Sequence, residues 1–200
     1  VTQDTLTITK ANTTLELGDL ADVVYSKTPI TLQSTATGDR PVLYFVTGSA
    51  SASGNVVTLK TAGTVRVTAY VAGTDDYESA YVTKTFNVSK AQSSVVMADV
   101  TGVYTGLGQA LSATVSSESG TPLTVGTDLV YKDASGNTVV SPTDVGVYTV
   151  VATVNDTQYS GSTTSTLTIL KAPLTVAGDV QTKEYRQANP DLTLTYTGFV

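Results

Sequence analysis

Wherever apolar residues cluster in this chain, they fall on alternate positions. In "GTVRVTAYVAG" Val65, Val67, Ala69 and Val71 lie on one side of an extended backbone, and Thr64, Arg66, Thr68 and Tyr70 lie on the other. That period of two predicts a strand with one face in a core. The run "GVYTVVATVND" can be laid on it by matching Gly146 to Gly63, which makes Tyr148, Val150, Ala152 and Val154 the corresponding inward set. Parity and the central alanine coincide, so the two runs are one element used twice. Helical periodicity is hard to find, and the many Val and Thr residues are β-branched types that suit a pleated surface.

A second pattern recurs on a longer scale. "LTITKA" (6–11), "FNVSKA" (86–91) and "LTILKA" (167–172) each alternate two apolar residues and end in Lys-Ala, with lysines at 10, 90 and 171. Tyr25, Tyr104 and Tyr185 follow these lysines by 14 or 15 residues, and Leu32, Leu111 and Leu192 come seven residues later. Self-similarity at a fixed period means tandem modules. Between the strand-like runs lie turn clusters such as "TGDRP", "SASGN", "AGTDD", "ASGN" and "VNDT". Short strands with turn signals at such intervals predict a β-sandwich with Greek-key pairing, in about 80 residues per module. The Lys-Ala phrase then reads as a closing strand, with Leu6/Ile8, Phe86/Val88 and Leu167/Ile169 facing a core and Lys10, Lys90 and Lys171 marking the joints. The predicted organisation is a closing strand of a preceding module at 1–10, sandwiches at 11–90 and 91–171, and the start of a further module at 172–200. Joints of one or two residues predict modules set end to end with little freedom to bend, and both chain ends less stable than the middle.

Charge and rare residues narrow the function. The net charge is −6 and the eleven basic residues are scattered singly, which leaves no track for a phosphate backbone and argues against nucleic acid. Cysteine is absent, so disulfides and thiolate metal sites do not arise; histidine is absent as well, which removes the commonest general base and zinc ligand. No apolar run approaches the roughly 18–20 residues of a membrane helix, so membrane insertion of this segment is not expected. Val1 does not open a signal-peptide pattern, and the segment reads as internal to a longer chain.

Candidate chemistry is sparse. Asp75, Asp76 and Glu78 in "GTDDYES" are the tightest acidic cluster and the calcium candidates, since calcium takes several loop oxygens. They lack the spacing of a dedicated calcium loop, the matching turn "VNDTQYS" keeps only Asp156, and a solvated hairpin turn accounts for them. Nothing marks out a glycosidase pair among seventeen acids, and a serine nucleophile would have only lysine as its base. Lys84, which interrupts the inward parity of Val82, Phe86 and Val88, and the joint lysines Lys90 and Lys171 are candidates for an isopeptide crosslink, against the plainer reading of side chains snorkelling at a sandwich end. Tyr77/Tyr81 and Tyr44/Phe45 are the near aromatic pairs available for stacking on a sugar. Tyr25, Tyr104 and Tyr185 fit better as structural anchors, with a buried ring and a hydroxyl reaching the backbone. Asn-x-Ser/Thr at Asn12, Asn87 and Asn155 carries little weight. No catalytic residue and no cofactor is assigned.

The residues "GVYTGLGQALSATV" (102–115), "TDVGVYTVVATVNDTQYSGSTTSTLTILKAPLTV" (143–176) and "KEYRQANPDLTLTYTGFV" (183–200) resemble the bacterial Ig-like tandem repeats of large surface proteins called MBG or YDG-type domains. Residues 172–200 resemble the variant that reads Tyr-Gly, Asn-Pro and Gly-Phe, with Arg186 where that glycine is expected. The stretch "VTGSASASGNVVTLKTAGTVRVTAYVAGTDDYESAYVTKTFNVSK" (46–90) resembles a different bacterial Ig-like repeat. The resemblance implies a non-enzymatic stalk or spacer of a secreted or cell-surface adhesin-like protein. Its partners would be the neighbouring modules of the same chain. The competing readings are a directly adhesive module that takes a glycan or host protein through sandwich loops, and an accessory module of an extracellular enzyme.

Overall fold

The structure is a computed structural model that describes residues 6–200. Apart from a 3-10 turn at Thr37–Asp39, its regular elements are strands. It divides into two compact units, Val1–Ser93 with Asn155–Ser160, and Ser94–Val154 with Gly161–Val200.

Unit 1 contains β1 (Leu15–Leu17), β2 (Val23–Val24), β3 (Ile30–Thr31), β4 (Ser34–Ala36), β5 (Leu43–Gly48), β6 (Ala50–Ser53), β7 (Val56–Leu59), β8 (Gly63–Val71) and β9 (Ala80–Ser89). A sheet of order β2-β9-β8-β5 faces a sheet β3-β7-β6 and a pair β1-β4. The valine strand behaves as its alternation requires: Val65, Val67, Ala69 and Val71 are buried and the residues between them are not. They meet Phe86 and Val88 of β9, Leu17, Leu32, Val57 and Leu59 in one core, where each buried Val or Leu side chain contributes about 1.5–3 kcal/mol. Gly48 ends β5 at φ +92, and a Cβ there would strike the Thr64 carbonyl oxygen, so the close approach to β8 requires glycine. Residues 155–160 add Tyr159 to this core, edge-on to Tyr25 with ring centroids 5.8 Å apart.

The chain continues through β10 (Ala91–Val96), β11 (Val100–Val103), β12 (Thr114–Ser117), β13 (Gly126–Lys132), β14 (Thr138–Val139), β15 (Gly146–Asn155), β16 (Tyr159–Ser160), β17 (Ser162–Leu170), β18 (Thr175–Gly178) and β19 (Leu194–Thr197). Unit 2 holds a sheet of order β11-β17-β15-β13-β14, and β12 pairs with β10 in a second sheet. Tyr148, Val150, Ala152 and Val154 are buried in β15, as are Leu167 and Ile169 in β17. The predicted all-β, Ig-like sandwich class is the observed one. It is mainly antiparallel, with short parallel ladders that the hydrophobic pattern did not reveal.

Residues 172–200 form a hairpin in which β18 and β19 pair antiparallel from Thr175↔Thr197 to Gly178↔Leu194. Part of the closing strand expected at 1–10 lies outside the described residues. Its described part, 6–10, is in no strand, and Leu6 and Ile8 are exposed rather than core-facing.

Candidate functional site

The repeated phrases meet at one place in each copy, where the early strand lies beside the closing strand. In the first copy β2 pairs parallel with β9, Val23 opposite Val88 and Val24 opposite Ser89. In the second, β11 pairs parallel with β17 from Val100↔Leu167 to Val103↔Leu170. The tyrosine anchors extend these ladders by one bond: the Tyr25 amide donates to the Ser89 carbonyl and the Tyr104 amide to the Leu170 carbonyl, both at 2.8 Å. Each acceptor immediately precedes a joint lysine, Lys90 or Lys171, and both lysines are exposed. Tyrosine and lysine thus recur together because one ladder joins their neighbourhoods.

An aspartate guards the other end of each ladder. Asp22 precedes β2, and its Oδ1 accepts the Asn87 amide at 2.7 Å. Asp99 precedes β11, and its Oδ1 accepts the Ser165 hydroxyl and the Thr166 amide, each at 2.7 Å. The registers correspond, because Asn87 directly precedes Val88 and Thr166 directly precedes Leu167. These bonds, the Ser165 hydroxyl foremost and then the Thr166 amide, hold the Asp99 carboxyl below its ordinary range. Sequence reasoning missed these aspartates, although the signal was present as Ala-Asp-Val at 21–23 and 98–100 and Gly-Asp-Val at 178–180. Asp179 bonds instead to the hydroxyls of Thr193 and Thr195, both at 2.5 Å.

The start of each copy is pinned in a similar way. Ala11 bridges Tyr77 in parallel, and Ala91 pairs parallel with Tyr159, so the alanine of Lys-Ala lies against the later tyrosine of its own copy. Arg40 lies over the Tyr77 ring at 4.9 Å and donates to the Thr37 and Ala72 carbonyls and to Thr13.

The anchor tyrosines do not share one environment. Tyr25 is buried, which above all else pushes its phenol up, with Tyr159 and Asp156 adding to the shift. Tyr104 is half-buried, and Tyr185 is 89% exposed. The tyrosine hydroxyls that reach backbone belong to Tyr131, which accepts the Leu111 amide at 3.0 Å, and Tyr148, which donates to the Asp144 carbonyl at 2.9 Å. Arg186 adopts φ +69, so the turn after Tyr185 takes the left-handed conformation that Gly106 supplies after Tyr104 at φ +75.

The calcium candidates Asp75, Asp76 and Glu78 are exposed. Their turn is held by Thr74 and by the chain at Ala11: Thr74 Oγ1 accepts the Asp76 and Tyr77 amides, while the Ala11 amide donates to the Asp76 carbonyl and its carbonyl accepts from the Glu78 amide. Among the described residues no three acidic, His or Cys side chains converge as metal ligands. Lys84 Nζ lies 2.8 Å from Asp19 Oδ1, and Asp19 is fully exposed. The Lys84 hydrogen bond and charge lower the Asp19 carboxyl. An amide crosslink needs a dry, uncharged carboxyl, whereas the Asp19 carboxyl is fully exposed and its charged form is favoured by the bond from Lys84. Lys10 lies exposed ahead of the first bridge.

The near aromatic pairs named from the sequence do not make platforms. Tyr44 and Phe45 project to opposite faces of β5, and Tyr77 lies under Arg40. A different set converges on the outer face of β5-β8-β9. Leu43, Tyr70 and Tyr81 stand in one cross-strand row, and Phe45, Thr68 and Thr83 stand in the next.

No described helix is long and apolar enough to cross a membrane. Residues 93–173 match the family described as "MBG domain", so the second copy is an MBG-type Ig-like repeat. No curated protein matches the chain. Among solved structures it is similar to Drosophila N-cadherin EC1-4 at 13% identity and TM-score 0.33, over 80% of this chain and 50% of that one. It is also similar to the N-terminal four Ig domains of Dscam1 isoform 9.44, at 11% identity and TM-score 0.36, over 79% and 46% of the two chains. A titin A168169 structure matches at 13% identity and TM-score 0.36, over 78% and 98%. The chain thus spans half the length of the N-cadherin fragment and less than half of the Dscam1 fragment.

Proposed function

We propose that this chain is a load-bearing spacer segment of a bacterial secreted or cell-surface protein, whose repeats carry tension to hold a distal binding domain away from its anchor. The observation that carries this reading is the parallel pairing of the early and closing strands in both copies. Parallel neighbours are pulled from opposite ends when a copy is stretched through the chain. The load therefore slides one strand along the other and strains all the ladder bonds together, rather than opening them one by one. The acidic net charge of −6 fits a surface that resists nonspecific contact.

The chain contains no cysteine, so engineered pairs give clean handles for a pulling experiment. Lys90→Cys with Lys171→Cys loads the β11–β17 ladder in shear. Val145→Cys with Leu170→Cys peels β15 from β17, whose open end lies there. Resistance several times greater in the first direction is the expected result; equal softness in both directions overturns the mechanical role.

One observation favours the adhesive reading for unit 1 alone. The row of Leu43, Tyr70 and Tyr81 with Phe45 presents aromatic and aliphatic surface beside the hydroxyls of Thr68 and Thr83. At the places of Tyr70 and Tyr81 the second copy has Thr153 and Ser162, which pair in the same way. A neutral polysaccharide stacking on these rings would shift the Tyr70 and Tyr81 resonances saturably, and Tyr81→Ala would abolish the shift.

A further inference from the structure

Tension that passes along the chain into the second copy is taken first by β10, which pairs with β12 and β16; once β10 gives way it enters β11 at its N-terminal end, directly after Asp99, and leaves β17 at its C-terminal end, before Lys171. We propose that Asp99, and Asp22 in the first copy, is a mechanical latch: a carboxylate at the loaded end of the parallel ladder that ties the early strand to the closing strand before the ladder can slide. This rests on the spacer reading and names the residues that would set its strength.

Several observations carry it. Two aspartates at the same register, in two copies of different sequence, make the same bond to the closing-strand amide just before the first paired residue. The register of β11 on β17 begins at Val100↔Leu167, so the Thr166 amide lies just ahead of the first paired residue and takes the carboxylate as its acceptor. Ser165 is buried, and its hydroxyl donates to the same oxygen; the latch thus reaches from an exposed carboxylate into the sandwich. A hydrogen bond to an ionised acceptor is about twice as strong as a neutral one, so this is where a strong bond best delays the first slip. At the opposite end the Tyr104 amide bond to Leu170 closes the ladder. The third Asp-Val, Asp179–Val180, carries the same residues, and there the carboxylate is bonded to its own hairpin.

The test uses the full chain pulled through its ends at constant force near neutral pH. Asp99→Ala should speed unfolding of the second copy by roughly tenfold at the same load and leave the other unfolding event unchanged. Asp22→Ala should do the reverse. Asp99→Asn, which keeps an acceptor but loses the charge, should lie between wild type and Ala, and it serves if the alanine variant folds poorly. Tyr148→Phe removes the bond to the Asp144 carbonyl away from the ladder; it should lower stability to denaturant without changing the lifetime under load. A wild-type chain that resists force while Asp99→Ala and Asp22→Ala unfold at the wild-type rate overturns the latch and leaves the spacer reading standing. Equal acceleration by Tyr148→Phe also overturns it, because the effect would then be loss of stability alone. A wild-type chain that gives way as easily along its ends as when peeled overturns the spacer reading itself.

Discussion

Leu32, Leu111 and Leu192 occupy one place in three copies of a pattern, seven residues after Tyr25, Tyr104 and Tyr185. The first two are 2% and 7% exposed, whereas Leu192 is 87% exposed. Val180, the counterpart of Val23 and Val100, is likewise exposed at 93%. The local sequence does not decide this difference, because the Asp-Val, the tyrosine and the leucine are present each time. Leu32 and Leu111 are buried because a valine strand and a closing strand lie against them. The β18–β19 hairpin has a continuous antiparallel ladder, yet Leu174, Val176, Leu194 and Tyr196 remain about half exposed. A hairpin forms from local bonds, but its apolar face becomes a core only when a second layer covers it.

The largest test of this contrast removes the same kind of side chain from both environments. Leu167→Ala, in the closing strand at 0% exposure, should cost about 3 kcal/mol, the transfer term plus the cavity left in a packed interior. Leu192→Ala should change stability by no more than about 0.5 kcal/mol. Urea titration of each variant, followed by far-UV circular dichroism, measures both. A Leu192→Ala cost close to that of Leu167→Ala would mean that the third copy has a core after all.

The turns after the tyrosines sharpen the comparison at a smaller scale. Gly106→Ala places a side chain at φ +75 and should cost about 1 kcal/mol. Arg186→Gly runs the other way at φ +69 and should be close to neutral, because three effects offset one another. Relief of left-handed strain is worth about 1–2 kcal/mol. Against it stand the backbone entropy of glycine, about 0.5–1 kcal/mol, and the loss of the Arg186–Tyr185 ring contact at 5.4 Å, about 0.5–1 kcal/mol at an exposed site. Hydrogen exchange of the amides around each turn reads the outcome.

Much of the fold was legible because alternation is a one-dimensional record of a two-faced strand. Val65, Val67, Ala69 and Val71, their counterparts from Tyr148 to Val154, and the inward residues of both later closing strands were all placed correctly by parity. "ASGN" marked a real turn, in which Asp133 accepts the Ser135 and Asn137 amides. The partners of these strands were less legible. Parity says which way a side chain points and nothing about which edge a strand lies beside, so the parallel ladders β2–β9 and β11–β17 left no trace in it. The anchor tyrosines were found by spacing, but spacing could not separate a hydroxyl from an amide; Tyr25 and Tyr104 contribute their amides, while Tyr131 and Tyr148 contribute the hydroxyls. The latch aspartates were missed because a single carboxylate beside a valine reads as an ordinary strand end until the three Asp-Val pairs are aligned.

The smallest expected effect is on acid stability, where Asp99 and Asp179 part company. Both carboxyls are held below their ordinary range, Asp99 by Ser165 and Thr166 and Asp179 by the hydroxyls of Thr193 and then Thr195. A folded-state value below the unfolded one, about 3.9 for aspartate, means that the unfolded chain binds the proton first. The group then contributes its full stability above the unfolded value and loses it as pH falls through the folded value. Bonds of Asp99 tie the sandwich together, so its protonation should appear in the global unfolding of unit 2; Asp179 bonds only within its hairpin and should not affect that transition. Urea midpoints from pH about 7 down to about 2.5 should therefore fall on the acid side in wild type, fall less steeply in Asp99→Asn, and follow wild type in Asp179→Asn. Asp133, lowered by the amide and side chain of Asn137, keeps some acid slope in both variants. An acid limb untouched by Asp99→Asn would show that the carboxylate makes the same bonds in the unfolded ensemble or none that matter in the folded one, and the distinction between a latched copy and an open hairpin would then rest on packing alone.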